Sequence, residues 1–255
     1  MKAIYREQRF EYADYMEVAI YPVAPQPRAT VKPLRRPSTE TQIKLNQLNR
    51  ARECNRVICA NFDNKCYYLT LTYKGEAPSE EQVRKDVESF LRKLKRILCK
   101  KGVELKWVKT IETGSKGGRI HVHLVITGGL SPFELQQLWG RGLIDCRPLM
   151  FGVDGVFGLS KYFVKELRNT AGEPSKKKAW TCSRNCVRPQ PKQNDYKYSR
   201  KRVETIAREK GNARFFEKLY PEYLCADCET ITENPKNGLK FLHLVFYKAK
   251  ARFDL

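Results

Sequence analysis

Long apolar runs are missing from this chain of 255 residues. Nothing approaches the roughly 20 consecutive apolar residues that cross a bilayer, so no membrane role is expected. The first two dozen residues mix charges and aromatics and contain no apolar segment of the secretory kind, which points to a cytoplasmic rather than a secreted protein. No G-x-x-x-x-G-K-[ST] loop occurs, so no nucleotide-driven motor of that type is expected within the chain. Acid is also scarce, with 28 Asp and Glu against 49 Lys and Arg, a net charge of +21. Such an excess implies a polyanionic partner, most simply nucleic acid. A basic protein of the membrane surface would need a long amphipathic stretch, and none is found. The nine cysteines are odd in number and scattered, as suits free thiols in a reducing compartment.

Only three histidines are present, and two of them stand one residue apart in the stretch E-T-G-S-K-G-G-R-I-H-V-H-L-V-I-T over 112–127. Side chains of a β-strand alternate between faces, so His121 and His123 leave one face while Ile120, Val122, Leu124 and Ile126 leave the other. The preceding segment, 104–112, alternates in the same way. Leu105, Trp107 and Ile111 join the apolar face, which puts Glu112 with the histidines. The glycine-rich link 114–118 suits a hairpin. A register that sets Glu112 opposite His121 or Arg119 would converge one carboxylate and two imidazoles; a slip of one residue would send Glu112 to the wrong face. Those donors suit a divalent metal. The plain alternative is a pair of half-exposed strand histidines with no metal.

Around this hairpin the elements follow the order β-α-β-β-α-β, then a helix. A basic helix is expected from 38 to about 60, with Arg50, Arg52 and Arg56. A strand follows over 67–73 (Y-Y-L-T-L-T-Y). The next helix opens with Ser79 and Gln82 spaced as a capping box and carries the stripe Val83, Val87, Phe90, Leu91, Leu94, Ile97 and Leu98 up to Gly102. After the hairpin, Ser131, Pro132 and Glu134 start a short helix. A strand over 142–148 and a helix over 155–168 complete the set. This order predicts an α+β, ferredoxin-like (split βαβ, RRM-like palm) fold with a mainly antiparallel sheet. The first two helices of that order would cover the apolar face, and the histidines would occupy the other. Three segments are expected: an arm over 1–37, loosely structured apart from a strand near 16–21; this core over 38–170; and a basic extension over 171–255.

The helix over 155–168 contains Tyr162 and Lys165, three apart and so neighbours on its surface. A phenol is a weak nucleophile at its ordinary pKa of about 10. Held against a metal-polarised phosphate, it can attack phosphorus and form a covalent phosphotyrosine. Lys165 would support the phosphate charge or help place the metal. By itself Y-x-x-K is equally an ordinary amphipathic helix.

Taken together and in order, the strand over 68–73, His121-Val122-His123 and Tyr162-Phe163-Val164-Lys165 resemble the three motifs of the HUH endonucleases. More narrowly, they resemble single-tyrosine rolling-circle replication initiators, including the gene II-like replication-associated proteins of filamentous phages. The resemblance covers about 40–170, with Trp180-Thr181-Cys182-Ser183-Arg184 as a weaker likeness beyond. It implies Mg²⁺ or Mn²⁺ bound by His121, His123 and Glu112, and nicking of single-stranded DNA at a replication origin by Tyr162. It also implies a separate helicase and DNA polymerase as partners. A single tyrosine on the nucleophile helix argues against a scheme in which two tyrosines alternate.

Beyond 169 cations crowd the chain. Candidate DNA contacts are Arg119, Lys161, Lys176, Lys177, Lys178, Trp180, Arg184 and Arg188, with Tyr196 and Tyr198 interleaved for base stacking; a flexible basic loop is the alternative. A helix is expected over 200–219 and a strand pair over 223–230 and 239–247. Cys182, Cys186, Cys225 and Cys228 offer four thiolates for structural Zn²⁺, against a default of free thiols. A relaxase or a single-tyrosine transposase would share the chemistry, and a non-catalytic single-stranded nucleic-acid binder would share the scaffold.

Overall fold

The computed structural model describes residues 4–12, 14–23, 40–76, 78–113, 120–164, 179–234 and 237–248. Its elements are β1 (Ile4–Glu11), β2 (Tyr15–Val23), α1 (Glu40–Asn61), β3 (Tyr67–Leu71), α2 (Glu80–Lys100), β4 (Trp107–Thr113), β5 (Ile120–Ile126), α3 (Pro132–Trp139), β6 (Ile144–Pro148), α4 (Phe157–Val164), β7 (Thr181–Cys182), β8 (Lys192–Tyr198), α5 (Arg200–Arg208), α6 (Ala213–Leu219), β9 (Tyr223–Asp227), β10 (Ile231–Glu233) and β11 (Lys240–Lys248). They form two compact units, each with its own antiparallel sheet.

The central unit comprises 41–151 and 156–188. Its sheet runs β6-β3-β5-β4-β7, and every pairing is antiparallel. Within it, the order β6-β3-β5-β4 is that of a split βαβ fold, with β5 inserted between β3 and β4. One face is closed by α2 and α3. Val83, Val87, Phe90, Leu91, Leu94 and Leu98 of α2, with Leu135 and Trp139 of α3, pack on Leu69, Leu71, Val122 and Leu124. Truncating one of these buried leucines to alanine would cost about 2–5 kcal/mol.

Helix boundaries follow local chemistry. Ser79 accepts a hydrogen bond from the Gln82 amide at the start of α2. The expected reciprocal bond is replaced: the Gln82 side chain reaches Asp86 instead (3.0 Å). Ser131 and Glu134 form the full capping box expected for α3. The strand expected over 67–73 ends at Leu71, and the tyrosine helix begins at Phe157 rather than near 155. Its expected continuation to 168 lies outside the described residues beyond Val164.

The other face of this sheet changes character along each strand. Nearest one end, Val108 and Val125 are buried with Cys54, Val57 and Ile58 of α1 and Phe163 of α4. One step along, Thr110, His123 and Thr70 stand side by side, and a further step brings Glu112 opposite His121. Helix α1 thus covers the apolar half of the histidine face and leaves the polar half to the site. Its sequence pattern had suggested only scattered apolar contacts.

The second unit comprises 1–40, 152–155 and 189–255. Its sheet runs β10-β11-β2-β1-β8, and β9 also pairs with β11. The strand expected near 16–21 is present as Tyr15–Val23, and the expected loose start of the arm is corrected: Ile4–Glu11 is a second strand paired with it, while 24–39 lie outside the described residues. Both pair with strands from the far part of the chain, β1 with β8 and β2 with β11. The reason is burial. Tyr5, Met16, Val18 and Ile20 form one core with Val203, Ile206, Phe216, Leu242, Leu244 and Phe246. The single helix expected over 200–219 is two helices, because Gly211 takes φ +80° and Asn212 caps the second.

Candidate active site

His123 occupies the middle strand of the central sheet, between Thr70 on β3 and Thr110 on β4. Its ring is almost fully buried, at 3% exposure. Both nitrogens are engaged. Nδ1 lies 2.9 Å from the Tyr68 hydroxyl and 3.2 Å from Thr70 Oγ1. Nε2 lies 2.9 Å from Glu112 Oε2 and 3.2 Å from the Tyr162 hydroxyl. Burial pushes the imidazole below its ordinary value, and Glu112 only partly opposes this. His123 is therefore neutral at neutral pH, with a lone pair on one nitrogen.

Tyr162 reaches the cluster from α4. Its hydroxyl donates to Glu112 Oε2 at 2.5 Å, and its ring meets that of His123 edge-on, with centroids 5.0 Å apart. At 37% exposure, the phenol is open to a ligand. The start of α4 is fixed from α1. Asn55, buried in the core, accepts a hydrogen bond from the Val156 amide (2.8 Å). Phe163 anchors the helix from its buried side and packs against Tyr68 (6.3 Å between centroids). Thr110 Oγ1 donates to the Ala179 carbonyl (2.7 Å) and holds the chain where it returns to β7.

His121 stands opposite Glu112 in the register, with its ring centroid 6.4 Å from that of His123. It lines a groove of about 880 Å³ with Thr72–Gly75, the end of α3 and the turn 140–143. Gly142 permits this close turn, since a Cβ there would meet the Thr72 carbonyl oxygen at 2.3 Å. Arg141 braces the wall by bonding the buried Asp86 (2.9 Å), which also receives Gln82.

Glu112, His123 and Tyr162 are thus brought together, with His121 adjacent. Among the described residues, no three His, Cys, Asp or Glu side chains are grouped closely enough to enclose an ion. Glu112 and His123 are bonded to each other and to Tyr162 instead. The donor set still fits a divalent ion in kind, with two imidazoles, a carboxylate and hydroxyls behind the inner histidine. Enclosing an ion would exchange the Glu112–His123 hydrogen bond for two metal bonds.

Residues 66–170 match the family model for the replication-associated protein ORF2/gene II protein family. The matched stretch is less than half of the chain, but it runs from the start of β3 to beyond α4 and includes every residue of the cluster. The match supports a gene II-like replication-associated family and a role in replication initiation. No curated protein and no solved structure matches.

The remaining predicted residues divide into three groups. Lys161 and Arg184 are exposed, the former with its ammonium 5.0 Å from the Phe157 ring. Trp180 and Arg188 are engaged within the fold. The indole is half-buried against the α1 cluster, and the guanidinium lies 5.9 Å from its ring and 3.3 Å from Glu53. Lys165, Arg119, Lys176, Lys177 and Lys178 lie outside the described residues. All nine cysteines are free thiols. Cys182 and Cys186 belong to the central unit, Cys225 and Cys228 to the other. Burial pushes the Cys186 and Cys225 thiols up.

Tyr68, Thr70 and Asn55 had no expected role. Tyr68 and Thr70 alternate with Leu69 and Leu71, so the period of β3 already put them on the histidine face. Asn55 left no such signal.

Proposed function

We propose that the protein is a rolling-circle replication initiator that nicks and rejoins single-stranded DNA through a covalent link to Tyr162. The observation that carries this reading is the hydrogen bond from the Tyr162 hydroxyl to Glu112 Oε2, beside a neutral, buried His123. A phenol on an acceptor carboxylate has both a place for its proton and a fixed direction for its oxygen.

In the reaction, the Tyr162 oxygen attacks the scissile phosphorus and forms a P–O bond. The P–O3′ bond breaks, and a free 3′-OH leaves. The phenol proton passes to Glu112 and then, through solvent, to the departing 3′ oxygen. The 5′ phosphate stays on Tyr162, so the bond energy is kept and a 3′-OH can reverse the step without ATP. His121, His123 and Glu112 are the residues that would hold Mg²⁺ or Mn²⁺, which when bound would polarise the phosphate. Tyr68 and Thr70 fix the His123 ring. Lys165 is assigned to the phosphate charge, and Arg119, Lys161, Lys176, Lys177, Lys178 and Arg184 to the strand. Helicase and polymerase act as separate partners. A relaxase or transposase would use the same step on a different DNA.

The test is covalent adduct formation on labelled single-stranded oligonucleotides with Mn²⁺. Wild type is expected to form an adduct that chelator abolishes and Tyr162→Phe lacks. Adduct formation by Tyr162→Phe would transfer the nucleophile elsewhere. Tight binding with no adduct from any oligonucleotide would favour a non-catalytic binder.

A further inference from the structure

A second aromatic is set out for a ligand in the other unit. Among the described residues, strand β8 is the edge of its sheet and pairs only with β1. Between the pairs Tyr5↔Tyr198 and Glu7↔Asn194 the register shifts, and Asp195, Tyr196 and Lys197 bulge opposite Arg6. Such bulges re-aim a side chain. Here both flanks are clamped. Arg6 grips Asp195 with two bonds, of 2.7 and 2.8 Å. Lys197 bonds the buried Glu7 (2.6 Å), whose same oxygen accepts from Tyr220 (2.6 Å). The Tyr196 amide itself donates to Asn194 Oδ1 (2.9 Å). Between these fixed neighbours, the Tyr196 side chain is 96% exposed.

A ring held almost wholly in water contributes little to the fold, so its rigid presentation calls for another explanation. The charges nearby indicate what it meets. Arg200, Lys201 and Arg202 fill the first turn of α5, which holds no acid; Arg200 is paired with Glu204 (3.0 Å), and Lys201 and Arg202 are exposed. Cations at the partly positive end of a helix work against that helix and favour an external anion.

We propose that Tyr196 is a stacking platform for an unpaired base of single-stranded DNA, with Lys201 and Arg202 at the start of α5 holding the backbone phosphates. Stacking needs an open base face, which a duplex does not offer, and it tolerates any base. The proposal rests on the reading above for the choice of DNA, but not on Tyr162 being the nucleophile.

Binding is therefore measured in the Tyr162→Phe protein, by anisotropy on short labelled oligonucleotides, with 2-aminopurine fluorescence as a stacking signal. Adding Tyr196→Ala is expected to weaken single-strand binding roughly 5- to 150-fold and to abolish the 2-aminopurine quench. Tyr196→Trp should restore both. The salt dependence should stay the same, because no phosphate contact is removed. Unchanged single-strand affinity in the Tyr196→Ala protein, or an equal loss on duplex, would overturn the proposal. So would a change in sedimentation with binding intact, which would assign the ring to contact between copies of the chain. Adduct formation is scored separately in protein with both tyrosines intact, so failure of the nicking reading and failure of this one give different results.

Discussion

A buried imidazole needs partners for both nitrogens in whichever tautomer it adopts. Tyr68 and Thr70 supply hydroxyls at His123 Nδ1, and a hydroxyl can donate or accept. The ring can therefore turn its Nε2 lone pair toward an ion without stranding Nδ1. Removing such an outer partner typically lowers metal affinity or activity about 10- to 100-fold. Tyr68→Phe is accordingly expected to raise the Mn²⁺ concentration needed for half-maximal adduct formation by about tenfold, the low end because Thr70 remains. An unchanged Mn²⁺ requirement would reduce Tyr68 to a packing role. Arg141 gives a prediction in pH. Burial pulls the Asp86 carboxyl up, but Arg141 and Gln82 outweigh it and hold it below the usual value. A depressed carboxyl contributes stability above its unfolded value and loses it as pH falls through the folded one. Arg141→Leu leaves Asp86 buried and charged at neutral pH. Arg141 is itself 41% exposed, so the usual cost of breaking a buried pair is discounted to about 1–2 kcal/mol. In urea titrations, that deficit should shrink between about pH 7 and pH 4, as the variant's Asp86 takes up a proton. A deficit independent of pH would mean that packing, not charge, was lost.

At the scale of elements, legibility followed periodicity. The hairpin of β4 and β5 alternates cleanly, so the common face of Glu112 and His123 could be read before any coordinates, whereas the register, open between His121 and Arg119 as partners of Glu112, is set only by the observed pairing with His121. The stripe of α2 was equally plain. Helix α1 was harder, because its inward face mixes Cys54, Asn55, Val57 and Ile58, and a buried asparagine looks polar until its partner is known. Strand β2 was legible over 16–21, whereas β1 was hidden for a similar reason: Arg6, Glu7 and Arg9 interrupt its apolar residues, yet Glu7 is buried and bonded to Lys197 (2.6 Å). The Glu112–His123–Tyr162 contact joins three separate elements, and no spacing along the chain encodes its distances. Asn55→Leu tests how α1 positions the nucleophile helix. Leaving the Val156 amide unpaired in the core should cost about 1–3 kcal/mol. With α4 loosened, the rate of adduct formation should fall at least about tenfold while oligonucleotide affinity changes little, since the displaced group acts in the reaction rather than in binding. Equal losses in both would indicate general unfolding.

The whole molecule is assembled out of sequence order. The central unit is nearly continuous in the chain, whereas the other joins β1 and β2 to β8 and β11 across it. A protein ending at Arg188 would keep the central sheet but remove the strands on either side of the β1–β2 hairpin. A two-stranded hairpin alone is at best marginally stable. Limited trypsin digestion of that shortened protein should therefore cut rapidly within 4–23, at Arg6 or Arg9, while α2 and the strands β3 to β6 resist. Resistance across 4–23 would show that the hairpin finds its stability elsewhere.

The same arrangement has a consequence for synthesis. Strand β2 leaves the ribosome long before β11, its neighbour in the sheet, and at about 5–20 residues per second the wait lasts on the order of ten seconds or more. Throughout it, Met16, Val18 and Ile20 have no sheet partner on that side. The central unit can be complete while its sister still waits, so the growing chain carries an open, apolar strand as well as a finished domain. A nascent chain in that state offers chaperones a definite binding segment near its N-terminus.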